Sequence, residues 1–106
     1  MTGEEFVKLC YTEKESVLKL YFDRNSEAEV SEKIHRLIAD GTDRDVLMDI
    51  ISSVLNETYY TLLLGLDGEA AIGDVQMTYK LYDENDNLIN ECGEIEAAAY
   101  EYFMEE

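Results

Sequence analysis

The residues able to do chemistry in this chain are few. There is one histidine, His35, and there are two cysteines, Cys10 and Cys92. A nucleophilic site would need a cysteine within reach of that histidine. The spacing gives no such pairing. Cys10 falls on an apolar stripe with Phe6 and Leu9, and His35 falls at the polar edge of a helix. Two cysteines make no disulfide framework either, so two ordinary reduced thiols are expected. Carboxylates are plentiful, with 25 aspartates and glutamates, so some will be close by density alone. No glycine-rich phosphate loop, serine elbow or cysteine–histidine zinc pattern is present. The residues therefore argue against an enzyme, and no cofactor is expected.

One metal pattern can be written down. Asp83, Asn85 and Asn87 stand at the first, third and fifth places of a loop that ends at Glu94, which is the spacing of an EF-hand calcium loop. Leu88 occupies the place where the sharp turn needs glycine, and Asn90 a place that is normally aliphatic. The plainer reading of 83–87 is an acidic turn. The calcium site stands as an alternative function class.

The remaining pattern is a surface. On the third predicted helix, Asp49, Ser53, Asn56 and Tyr60 form a stripe opposite the apolar face, with Glu57 beside it. On the last helix, Tyr100 projects between Glu96 and Glu101. Tyrosines among carboxylates suit a basic protein partner. The ring supplies contact area at low entropic cost, and the acids steer encounter. These eight residues are the candidate partner-binding site.

The elements that must carry these residues follow from periodicity and caps. Thr2 with Glu5 is a capping box opening a first helix. Its stripe falters at Tyr11–Lys14, so it is either one bent helix or two short ones. Ser26 with Glu29 caps a second helix over about 27–39, with Val30, Ile34, Leu37 and Ile38 as its buried stripe. Gly41 stops it in the left-handed conformation. Thr42 caps a third helix, in which Val46-Leu47, Ile50-Ile51, Val54-Leu55, Thr58-Tyr59 and Leu62-Leu63 recur every four residues. That wide face is expected to be the spine of the core. Gly65 and Asp67-Gly68 end the helix. Val75, Met77, Tyr79 and Leu81 then alternate with Gln76, Thr78, Lys80 and Tyr82, which is strand period. With a turn at 83–87 and a return at Leu88-Ile89, they predict a hairpin near 75–90. Gly93 precedes a last helix lined by Ile95, Ala98, Ala99, Tyr102 and Phe103.

The expected fold is thus a single α+β domain over 1–106. It is helix-rich, with three or four N-terminal helices, a short β-hairpin and a C-terminal helix. An all-α bundle with 74–82 helical is the alternative. Apolar residues make up 46% of the 106, enough for one core. The first five residues lack a basic n-region and an apolar h-region, and no apolar run approaches membrane-spanning length, so a cytoplasmic protein is expected.

Charge narrows the partners. The formal net is −17. Residues 1–44 hold seven basic and ten acidic residues. Residues 45–106 hold Lys80 against fifteen acids, a net of −14. A surface this negative repels nucleic acid and anionic lipid. It suits a basic protein. The oligomeric state is left open, and a homo-oligomeric adaptor is a further alternative.

Leu64-Gly65-Leu66-Asp67-Gly68, Tyr79-Lys80-Leu81-Tyr82-Asp83, Gly93-Glu94-Ile95-Glu96 and Tyr100-Glu101-Tyr102-Phe103 together resemble small acidic immunity proteins of bacterial toxin systems. The resemblance covers the C-terminal half. It implies a cytosolic inhibitor that masks a toxin, such as a nuclease, by occupying its basic groove. Glu57-Thr58-Tyr59-Tyr60 is similar to the acidic, tyrosine-bearing helix surface of the immunity proteins of DNase colicins. It departs from them in having no proline after the tyrosines and in lying inside a long helix.

Overall fold

The computed structural model describes residues 1–91 and 93–105. Helix α1 (Gly3–Phe22) is a single unbroken helix opened by the capping box: Thr2 Oγ1 accepts from the Glu5 N–H and Glu5 Oε1 from the Thr2 N–H, each at 3.1 Å. Helix α2 (Glu29–Ala39) begins without a side-chain cap, because its N-cap position is Ala28; the Ser26 hydroxyl, two residues earlier, accepts from the Ala28 N–H and the Ser31 hydroxyl. Helix α3 (Arg44–Leu66) is capped by Asp43, not by Thr42; the Asp43 carboxylate accepts from the Val46 N–H. Both α2 and α3 end in Schellman turns. Gly41 and Gly68 supply the left-handed residue, and the N–H groups of Thr42 and Glu69 reach back to Leu37 and Leu64. The short α4 (Glu94–Ala99) runs directly into a π-helical turn, Tyr100–Met104. No helix among the described residues is long and apolar enough to cross a membrane.

The architecture corrects the expected α+β class: it is all-α, and no strand forms among the described residues. Residues 74–82 are not helical either. The anticipated hairpin is reduced to isolated antiparallel bridges, Ile72 with Val75 and Tyr82 with Leu88. Two physical reasons stand out. Val75 and Met77 are exposed, so only the Tyr79–Leu81 end of the inward register is partly buried. The Asn90 side chain also takes the backbone groups that a second strand would pair. Its Oδ1 accepts from the Leu81 N–H at 2.9 Å, and its Nδ2 donates to the carbonyls of Leu66 at 2.9 Å and Tyr79 at 2.7 Å. The segment is pinned to the end of α3 by this amide and by that of Gln76, whose Nε2 donates to the Gly68 carbonyl at 3.0 Å.

The core is at one end. Val7, Leu63, Ile89, Ile95, Ala98, Ala99 and Phe103 form it, with Phe6, Cys10, Tyr11, Tyr59, Tyr60, Leu66, Leu81 and Tyr102 packed around. The small Ala98 and Ala99 let α4 lie close against α1 and α3. Gly65 sits inside α3 because Ile72 packs on it; an added Cβ would overlap Cγ1 of Ile72 and lie 2.7 Å from its Cδ1. At the far end, α2 leans on α1, where Phe22, Ser31 and Ile34 are buried. The molecule measures 48 × 28 × 26 Å with a radius of gyration of 16.3 Å. A compact chain of this length has about 13 Å.

The face of α3 that enters the core also differs from expectation. Tyr59 and Leu63 face the core, and Met48 and Ser52 are half-buried on the same side. Val46, Ile50, Val54 and Leu62 are exposed. The spine was expected to be the whole face of paired residues; its other apolar members, Leu47, Ile51, Leu55, Tyr59 and Leu63, are half-buried or buried, while this outer row stays largely exposed.

Candidate functional site

The candidate residues divide by place. Ser53, Asn56 and Glu57 line one wall of a shallow groove of about 300 Å³. The other wall is Tyr11 from α1 and Tyr102, Phe103, Met104 and Glu105 from the π-helical turn. The turn is positioned by Phe103, which is buried and stacks on Tyr59 with ring centroids 5.7 Å apart; Tyr11 meets its edge at 5.4 Å. Asn56 Oδ1 is buried there without a hydrogen-bond partner. Asp49 is exposed one turn further along α3, outside the groove.

Tyr60 is a correction. Helical spacing places it away from the core, yet it is half-buried and packs against the core cluster. Tyr100 and Glu101 are exposed as expected, Tyr100 at 56%. Glu96 is half-buried, and its N–H donates to Asp67 Oδ2 at 2.9 Å. Burial pushes the Asp67 carboxyl above its ordinary range even though it accepts that N–H. The groove therefore gathers three of the eight predicted residues. Tyr100 and Glu101 form a separate exposed patch.

Two groove residues, Tyr11 and Tyr102, were not anticipated as site residues. The signal for Tyr11 is the row Val7, Tyr11, Lys14, Leu18, spaced as one helix face. The same row explains Lys14, which is only 3% exposed. Its ammonium lies 3.1 Å from Glu15 and 5.2 Å from the centre of the Tyr11 ring. A lysine within an apolar row is accommodated there by a carboxylate and an aromatic face.

The calcium pattern does not keep its donors free. The Asp83 carboxylate accepts from the terminal ammonium of Met1 at 2.7 Å, from the N–H groups of Asn85 and Asn87 at 2.9 and 3.0 Å, and from Asn87 Nδ2 at 3.0 Å. These donors hold it well below the usual carboxylate range. Glu94 Oε1 accepts from the Glu4 N–H at 3.4 Å. Among the described residues, no three histidines, cysteines or carboxylates are grouped to hold a metal.

Cys10 is half-buried against the core, and burial pushes its thiol up, away from nucleophilic use. Cys92 lies outside the described residues. His35, expected at the polar edge of its helix, is partly covered. It is half-buried in a groove with Phe22, Arg24, Ile38, Ala39 and Arg44, and its Nε2 is buried without a partner.

Charge follows the two ends. Residues 1–11 and 55–106, which include every core residue, hold two basic and fifteen acidic residues, a net of −13. Residues 12–54 hold six basic and ten acidic residues, a net of −4. Compared with protein-family models, with curated proteins and with solved structures, the chain matches none.

Proposed function

We propose that this chain is a non-catalytic cytoplasmic binding protein whose acidic end occupies the basic surface of a protein partner, as an immunity protein covers the cationic active site of a toxin such as a nuclease. One observation carries the reading. A net charge of −13 is concentrated at the core-bearing end of an elongated molecule, and the exposed Tyr100 lies there beside Glu101. The field of that end draws a cationic groove at long range. On contact the Tyr100 ring supplies desolvated area, and Glu57 and Glu105 stand at the neighbouring groove. Tyr60 is not assigned an anchoring role, because replacing it would disturb the core.

The test is to search the reading frames beside this chain's gene for a basic, toxin-like domain and to measure its binding. Its association rate with the chain should fall at least tenfold between about 0.05 and 0.5 M salt. Tyr100→Ala should weaken the complex by about 1–3 kcal/mol. A rate unchanged by salt, or no complex with that domain, would sink the proposal.

A further inference from the structure

We infer that the uncovered row of α3 is a contact between two copies of this chain, so that the protein is a homodimer joined at its less acidic end. Val46, Ile50 and Val54 are 57%, 54% and 55% exposed. They stand four residues apart, and such a row is one helical ridge. Two ridges of this kind interdigitate where helices cross at about −50°. The row continues to Leu62, but there Ala71, Ile72 and Gly73 crowd alongside. The open stretch is therefore the N-terminal half of α3.

Area, charge and shape choose the occupant. The accessible surface is 7352 Å². A compact monomer of 12.2 kDa exposes about 6,100 Å². The excess is above the roughly 800 Å² that each partner buries in a standard interface. A dimer through α3 buries part of that excess. The row sits in the segment whose net charge is only −4, so a strongly basic partner gains little there. A second copy brings a cation as well as acids: Arg44 stands at the start of α3 among Asp43, Asp45 and Asp49. In a twofold contact Arg44 of each copy can meet the acids of the other. Joining at this end also holds the two −13 ends apart. The molecule is 48 Å long, several times the roughly 8–10 Å over which salt screens charge.

The contact is independent of the acidic binding end, and the experiment separates the two. Sedimentation velocity of the full chain should give twice 12.2 kDa. The double variant Ile50→Asp, Val54→Asp should sediment as the monomer with an unchanged helical circular dichroism spectrum, because both side chains are mostly solvated in one copy. The milder pair Ile50→Ser, Val54→Ser removes apolar area without adding charge, and should raise the dimer dissociation constant by about tenfold or more. Tyr100→Ala should leave the dimer intact. A monomeric wild-type chain at high micromolar concentration overturns the inference. So does a serine pair that dimerises as tightly as the wild type.

Discussion

The amide of Asn90 holds three backbone groups from two segments: the Leu81 N–H, the Tyr79 carbonyl and the Leu66 carbonyl at the end of α3. An amide can do this because it carries an acceptor and two donors on one rigid plane. A carboxylate cannot. Asn90→Asp would keep the bond from Leu81 and would turn an anion on both carbonyls. Each orphaned, partly buried acceptor costs about 1–3 kcal/mol, and water reaches this half-buried site in part. The expected loss is about 2–3 kcal/mol, read as a lower urea midpoint at constant slope. An unchanged midpoint would mean that water replaces the amide. Lys14 poses the same question in charged form: its ammonium is tolerated inside an apolar row because Glu15 and the Tyr11 ring meet it on the spot.

At the scale of elements, the turn after Tyr82 is held by one carboxylate. Asp83 is held low first by the Met1 ammonium, then by the Asn87 side chain and N–H, with a smaller contribution from the Asn85 N–H. A carboxylate whose folded value lies below its unfolded value near 4 contributes stability above that value. The contribution is lost as pH falls through the folded value. Asp83→Asn should therefore lower stability at neutral pH and flatten the loss of stability with acid below about pH 4. Urea midpoints measured across that range for both chains check it; parallel curves would show that the turn does not depend on the ionised form.

The helices themselves were legible because their ends are written in local chemistry: the Thr2–Glu5 box, Gly41 and Gly68. The missing hairpin was not legible. Alternation at Val75–Tyr82 is a necessary mark of a half-buried strand, but whether a face is buried depends on what packs there. The eventual hydrogen-bond partner was a distant asparagine side chain. The α3 face fails for a related reason. Its apolar residues span more than half of the helix, and only the arrival of α1, α4 and the π-helical turn selects Tyr59 and Leu63 over Val46, Ile50 and Val54. The same packing draws Tyr60 inward and leaves Tyr100 outside, so half of the tyrosine pattern could be read from spacing and half could not.

Over the whole molecule, two electrostatic effects respond to salt in opposite directions. The described residues contain four ion pairs: Met1–Asp83, Lys14–Glu15, Lys33–Glu29 and Arg44–Asp45. Against them stand 25 acidic residues and a net charge of −17. Exposed pairs contribute little, and contact pairs are the last to be screened. The repulsion among acids acts over longer distances than a contact pair, so it is removed first. Folding brings those acids closer together, and screening should therefore stabilise the folded chain. The expected outcome is a urea midpoint that rises with sodium chloride between about 0.05 and 0.5 M, where the association rate with a basic partner falls. Chloride is the right probe, since sulfate also strengthens apolar burial. The measurement belongs at two protein concentrations. A dimer joined through α3 adds a concentration-dependent part to the midpoint by mass action. The charge effect adds a part that is the same at both. A midpoint that falls with chloride at both concentrations would mean that the ion pairs outweigh the repulsion. The clustering of acid at one end would then not be a cost that the fold bears for binding.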